Sequence, residues 1–257
     1  MGRLARLTLV LAALTAATGC ASAAGVVAEK AADSMDSVEY EIAWIVHSMD
    51  GMTAGVTPEE AVNASAARAA EFWTAGCFMF SIEGATVTYT LTDCGGPFEI
   101  VRLSGTVTIT YNDTGSGIGF DIVASDLTIR ENTVSFSISA DVATDGRNVS
   151  VTTSGSVLGR RGFMLTRNGT YNLQWNGSSE CAGIDSGSWE TTVEGEAFAT
   201  SISNWRRCGI NCPAAGATVS FSGSGTTVTV SYDGTRQASW TSSGGESGLL
   251  RLFCNES

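Results

Sequence analysis

The sequence predicts a mainly β protein: an antiparallel meander forming a curved sheet, sandwich or barrel-like body, preceded by an N-terminal helical hairpin. Three observations predict it. From Cys77 onward Thr, Val, Ser, Gly and aromatic residues dominate, and apolar side chains recur with a period of two. Turn pairs built on glycine separate these runs. Upstream, between Ala21 and Gly76, the apolar period is that of a helix.

Residues 1–19 form a leader in three parts. Arg3 and Arg6 open it, Leu7 to Ala17 is an uncharged apolar run, and Ala17, Thr18 and Gly19 precede Cys20. That order is the pattern of a secretory signal peptide. The run is too short for a membrane span, which needs roughly 20 apolar residues.

The tetrad Ala17-Thr18-Gly19-Cys20 resembles the lipobox of bacterial lipoprotein precursors, with Ala17 in place of the usual Leu. The resemblance covers the leader alone; the β body resembles no family of known function. It implies that the Cys20 thiol takes a diacylglyceryl group and that the chain is cut before Cys20 and acylated there. More than one acyl chain gives stable anchoring. Ala21, rather than Asp, follows the cysteine, which implies sorting to the outer membrane of the cell envelope. The competing reading is cleavage after Ala21-Ser22-Ala23 with Cys20 discarded; both readings export the protein.

Removal of Arg3 and Arg6 with the leader leaves 12 basic against 26 acidic side chains, a net charge of −14. Lys30 is the one lysine, and no basic patch is visible, which argues against nucleic acid as a partner. About 238 residues remain, room for one large domain or two small ones. The expected organisation is a lipid-anchor segment with a helical hairpin over residues 20–76, then an antiparallel β body over residues 77–257.

Within residues 20–76, Met35, Val38, Ile42, Ile45, Val46 and Met49 fall on one helical stripe. Gly51 and Gly55 break it. Thr57-Pro58-Glu59-Glu60 is a helix start: Thr57 caps, Pro58 suits the first position, and Glu60 completes a capping box. The alanine-rich stretch Ala61–Ala75 ends at Gly76, a C-terminal stop. The stripes, with Trp44 and Trp73, are expected to pack on the β body.

In the β body Val87, Tyr89 and Leu91 alternate with Thr86, Thr88 and Thr90. Leu103, Val107, Ile109 and Tyr111 alternate with Ser104, Thr106, Thr108 and Thr110. Val134, Phe136 and Ile138 alternate with Ser135, Ser137 and Ser139. One face is apolar and the other hydroxyl-rich, as in an antiparallel sheet with one side on a core and one in water. Asp145-Gly146, Asn168-Gly169, Glu194-Gly195 and Asp233-Gly234 are turn signals. A two-residue loop at Asp145-Gly146 pairs Val142 with Val149 and Ala140 with Val151. At Asp233-Gly234 a three-residue loop pairs Val230 with Ala238 and Val228 with Trp240. Roughly a dozen strands are expected, with a candidate division into two lobes near Gly177.

The remaining cysteines, Cys77, Cys94, Cys181, Cys208, Cys212 and Cys254, form an even set, which in an exported chain reads as a disulfide framework. Hairpin register chooses the pairs. Cys77 and Cys94 close a hairpin centred on Ala85-Thr86, with Ile82 opposite Tyr89 and Phe80 opposite Leu91. Cys181 and Cys208 oppose each other at the open end of a hairpin turning at Glu194-Gly195, with Thr191 facing Phe198. Cys212 and Cys254 remain and bracket a four-stranded meander. Zinc would want CxxC-type pairs with histidines, and the close pair Cys208 and Cys212 has none near it.

No catalytic residue, cofactor site or metal site is assigned. His47 is the one histidine and reads as a structural residue beside the apolar stripe. No GxSxG elbow, HExxH or P-loop occurs. Asp121, Asp126, Asp141, Glu190, Glu194 and Glu196 lie in or beside strands, and two facing carboxylates are the minimum for glycoside hydrolysis. Asp145 with Asn148, or Asn112 with Asp113, offers oxygen ligands for calcium, though such residues usually just make turns.

The expected function is a structural or binding role at the envelope, with a protein or glycan partner unspecified. The alternative is a carboxylate-dependent hydrolase of envelope or extracellular glycans, with Trp175 or Trp240 exposed in a groove. The connectivity is checked by peptide mapping under non-reducing conditions. A Cys77 peptide linked to anything but Cys94 breaks the register argument. A Cys181–Cys212 link breaks only the last assignment.

Overall fold

The computed structural model describes residues 22–49, 52, 55–95, 102–129, 131–176, 181–209 and 211–255. Cys20 and the leader lie outside the described residues. Two helices come first, α1 (Ala23–Met49) and α2 (Pro58–Phe72). Thirteen strands follow: β1 (Phe78–Glu83), β2 (Thr86–Gly95), β3 (Arg102–Asp113), β4 (Gly117–Ile129), β5 (Asn132–Ala143), β6 (Asn148–Leu158), β7 (Met164–Asn176), β8 (Cys181–Val193), β9 (Glu196–Cys208), β10 (Thr218–Gly223), β11 (Thr226–Tyr232), β12 (Gln237–Ser242) and β13 (Ser247–Arg251). They form one antiparallel meander in strict sequence order, open at β1 and β13. Strands take up 59% of the described residues, so the mainly β expectation holds.

The helix start at α2 is the one read from sequence. The Thr57 hydroxyl accepts from the Glu60 amide at 3.3 Å, and the Glu60 carboxylate accepts from the Thr57 amide at 2.9 Å. Those hydrogen bonds hold the Glu60 carboxyl below its ordinary pKa.

The stripe of α1 packs on the β body as expected, with Trp44 and Trp73, and the burial extends to its polar side chains as well. Its side chains reach Tyr89 on β2, Thr153 on β6 and Arg167 on β7, the Ser48 carbonyl accepts from the Tyr111 hydroxyl on β3, and the backbone packs on β10, β11 and β13. Partners so spread along the strand order require the sheet to curl around the helix. Helices and sheet share one hydrophobic core, in which Trp44, Ile45, Phe120, Phe198 and Phe221 are fully buried.

The division expected near Gly177 falls outside the described residues; up to it β7 and β8 pair from Leu165 with Val193 to Asn176 with Cys181, with one register shift between Tyr171 and Leu173. The sheet gains curvature from bulges between Leu91 and Cys94, Ser104 and Thr106, and Ala124 and Leu127. Asp93 and Asp126 adopt positive φ there, at 52° and 54°.

Registers follow the alternation, with instructive exceptions. Val142 faces Val149 and Ala140 faces Val151, as expected. The intervening loop is wider than two residues, because the Asp145 carboxylate accepts from the amides of Arg147 and Asn148. Glu194 and Gly195 make the β8–β9 turn with φ of 53° and 84°, the left-handed pair a two-residue hairpin needs. Thr191 faces Phe198. After β11 the three-residue loop is wrong: Val230 faces Trp240 and Tyr232 faces Ala238, because Asp233 and Thr235 build a longer loop. Asn168-Gly169 is no turn but mid-β7. A Cβ on Gly169 would lie 2.2 Å from the Trp189 Cβ, so this glycine makes room for a core tryptophan.

The three cysteine pairs are those expected: Cys77–Cys94, Cys181–Cys208 and Cys212–Cys254, with Cα separations of 5.1, 4.0 and 4.8 Å. The first pair stands on a corrected register. Ile82 faces Val87 and Phe80 faces Tyr89, two residues from the expected alignment. The bulge at Asp93 brings Cys94 back beside Cys77.

The Glu41–Arg167 ion pair lies wholly inside, with both side chains at most 3% exposed. Removing one partner strands a buried charge, so Arg167→Met should cost about 3–5 kcal/mol. The double variant Glu41→Leu/Arg167→Met should recover most of that loss. Urea unfolding of the two variants against the parent protein decides it.

Candidate functional site

Two polar assemblies stand out, one inside the curl and one on its outer face. The inner one follows α1. Lys30 contacts Glu194 at 3.0 Å and Glu196 at 3.1 Å, in and beside the β8–β9 turn. One turn on, Asp33 sits against Gly159, where a Cβ would lie 2.2 Å from its carboxylate. That carboxylate accepts from the amides of Arg161 (2.9 Å) and Phe163 (3.3 Å). Arg161 also holds Asp36 at 3.0 Å, and Arg160 and Arg207 both hold Glu39. Thr153 donates to Glu41, whose other contacts are Arg167 and Tyr171.

Burial pushes the Asp36 carboxyl up to about 7, with Glu39 and Asp33 adding repulsion and Arg160 and Arg161 offsetting part. Burial raises Asp33 as well. Arg167 is lowered by burial to about 10 and stays charged at neutral pH. These groups fasten the helix to the sheet, with the Nε of Arg160 and of Arg167 left without a hydrogen-bond partner.

His47 ends the inner belt. It is 1% exposed, stacked on Phe72 at 4.4 Å between ring centroids, and its Nε2 lies 3.2 Å from the Tyr89 hydroxyl. Burial lowers its pKa to about 3. The ring is therefore neutral and enclosed, in keeping with a structural histidine.

The outer assembly is a ladder of hydroxyls. Directly paired positions run from Thr86 on β2 through Thr110, Asp121, Ser139, Thr152, Thr170, Ser188, Ser201, Ser220, Thr229 and Thr241 to Ser247 on β13, and all but Asp121 carry a hydroxyl. Beside this row, over β5 to β8, the outer face sinks into a polar trough. One part, of about 490 Å³, is lined by Ser116, Asp141, Asn148, Ser150, Asn172, Gln174, Asp185 and Ser186. A second, of about 400 Å³, shares Ser150, Asn172 and Ser186 and extends to Thr152, Thr170 and Ser188.

A bulge makes the trough. The β7–β8 register shifts between Tyr171 and Leu173, so Asp185 and Ser186, consecutive in sequence, both lie exposed on the outer side. Asp185 is then held by Arg206 at 2.9 Å and by the Gln174 amide at 2.6 Å, while Arg206 donates to the Gln174 carbonyl at 3.3 Å.

Of the carboxylates singled out from sequence, Glu194 and Glu196 meet on Lys30 and the other four are dispersed. Asp121 accepts from Ser139, Asp126 sits in a bulge, Glu190 faces Asn168 and Ala199, and Glu194 and Glu196 bind Lys30. Of the six, only Asp141 lines the trough. Trp240 is buried against Gly248 and Trp175 is half-buried opposite Ala182, so neither is an exposed groove aromatic. The Asp145 carboxylate is held below its ordinary pKa by the Arg147 and Asn148 amides and serves its own turn. Asp113 accepts from the Gly115 amide at 2.7 Å in the same way. Among the described residues no group of three or more His, Cys, Asp or Glu side chains is placed to hold a metal.

Sequence reading missed Asn172, Gln174, Asp185 and Arg206. A signal existed. Along β8 the inward positions are Ala182 and Ile184, then Trp189, Thr191 and Val193. That change from even to odd marks the bulge. No family model, curated protein or solved structure matches the chain.

Burying His47 neutral stabilises the fold above its ordinary pKa of 6.5, and that stabilisation is lost as the pH falls toward about 3. The parent protein should lose stability relative to His47→Gln across that window, by up to about 1.4 kcal/mol per pH unit. Denaturant titrations of both proteins at stepped pH measure the difference; parallel profiles would show that the ring is protonated inside the fold.

Proposed function

We propose that this chain is an exported, lipid-anchored protein of the bacterial envelope that acts as a structural or binding module rather than an enzyme. The observation that carries the reading is the helix α1 within the curl of the sheet. Its charged groups are matched by the sheet's own arginines and hydroxyls, so the inner face is occupied by the chain itself. What faces outward is the polar face and its trough. Three disulfides suit an oxidising compartment outside the cytoplasm.

The leader supports the anchor. Arg3, Arg6, the apolar run and Cys20 supply what a lipoprotein precursor needs, and outer-membrane placement follows from Ala21. Since α1 begins at Ala23, a lipid on Cys20 would hold the sheet close to the bilayer with almost no tether.

The experiment is intact mass spectrometry of the protein extracted from native membranes, with a Cys20→Ala variant beside it. The expected species starts at Cys20 and carries added acyl mass, and the variant leaves the membrane fraction. A mature chain starting at Ala24 without lipid would overturn the anchor.

A further inference from the structure

We propose that the trough over β5 to β8 is a binding site for an extended, neutral, β-linked oligosaccharide. The inference rests on the reading of the outer face as the working surface and names what that surface would hold.

The lining sets the chemistry. Across the trough Asp141 pairs with Ser150 and Ser150 with Asn172, and the bulge sets Asp185 and Ser186 at the end of that line. This is a row of carboxylate, hydroxyl and amide groups. Sugar hydroxyls donate and accept at once, and a carboxylate or a primary amide satisfies two vicinal hydroxyls together. Hydrogen bonds to the charged acceptors are the stronger ones.

Two of these groups are oriented before any ligand arrives. Gln174 donates to Asp185 at 2.6 Å and accepts from Arg206 at 3.3 Å, while Arg206 holds the other Asp185 oxygen at 2.9 Å. The three side chains fix one another's planes, which lowers the ordering cost of binding.

Charge excludes the main competing ligands. Two carboxylates line the trough, Arg206 is already engaged by Asp185, and the exposed Arg147 beside Asn148 is the one further cation at its rim among the described residues, in a chain of net charge −12. Phosphorylated or uronic polymers would meet repulsion there. An apolar ligand would strand exposed hydroxyls and amides.

Spacing favours a polymer laid across the strands. Adjacent strands are about 4.8 Å apart, close to the advance per sugar in an extended β-1,4-linked glycan. A chain crossing β5 to β8 would meet a fresh polar group at each sugar. The parallel ladder from Thr86 to Ser247 would carry a longer chain beyond the trough. No aromatic ring offers a stacking face in the trough's polar floor, so affinity would come from hydrogen bonds and rise with chain length.

The test uses the mature protein purified in detergent and titrated by calorimetry with cellohexaose and with chitohexaose. Maltohexaose and oligogalacturonate serve as the coiled and anionic controls. Saturable binding of one neutral β-linked hexasaccharide is expected, stronger than for its trimer and absent for the anionic control. Asp141→Ala and Asn172→Ala should each weaken it about tenfold, the loss of one charge-assisted or paired hydrogen-bond set, with melting temperature unchanged because both side chains are exposed. Unaltered affinity in both variants, or binding of oligogalacturonate as tight as that of the neutral sugars, would overturn the site. So would no saturable binding of either neutral hexasaccharide. Shortening of the bound sugar, read by mass, would leave the site standing and overturn the non-enzymatic reading instead.

Discussion

The structure depends on a helix that carries five charged residues out of reach of water. Lys30, Asp33, Asp36, Glu39 and Glu41 all lie on α1 and are all buried. An unpaired charge in such surroundings costs several kcal/mol, so each must find a partner on the sheet. The sheet supplies them at set places: Arg160 and Arg161 in the β6–β7 turn, Arg167 on β7 and Arg207 on β9. Apolar packing alone would tolerate rotation or sliding of α1 along the curl. The ion pairs do not, because a shift of one residue would leave carboxylates facing Val and Ile. Specificity is thus concentrated in the polar contacts, and bulk stability comes from the aromatic and aliphatic core.

Much of the β body was legible because its constraint is local. Alternation of Val, Ile and Tyr with Thr and Ser is enforced residue by residue wherever one face is buried. The Cys181–Cys208 pair follows from one left-handed turn at Glu194-Gly195 and an unbroken count back along both strands. The Cys77–Cys94 pair shows the limit of such counting. A bulge at Asp93 offset an alignment error of two residues, so the right pair came from a partly wrong register.

The place of α1 was not legible from its own residues. Acidic side chains on a helix ordinarily mark a solvent face, and only the stripe of Met35, Val38 and Ile42 reads as buried. The information lies elsewhere in the chain. Arg167 and Thr153 occupy inward positions on their strands, as do Thr191 and Thr200. A polar residue at an inward position needs a polar partner, and these positions together describe the seat of α1. The outer trough was hidden differently, since a bulge breaks the very alternation by which strands are recognised.

The β6–β7 turn reaches the far end of the chain. Arg160 and Arg161 donate to the carbonyls of Phe253 and Arg251, at 2.6 Å each, while holding Glu39 and Asp33 on α1. The turn that holds the helix is thereby completed only when the last strand has arrived. As the chain is made α1 emerges ahead of the sheet, carrying charges whose partners do not yet exist, and waits as a solvated segment. Contacts of such long sequence separation make folding slow and close to all-or-none. The consequence is temporal: the charges of α1 gain their partners only after β1 to β6 have been made, and the turn that carries Arg160 and Arg161 is itself closed off by the last strand.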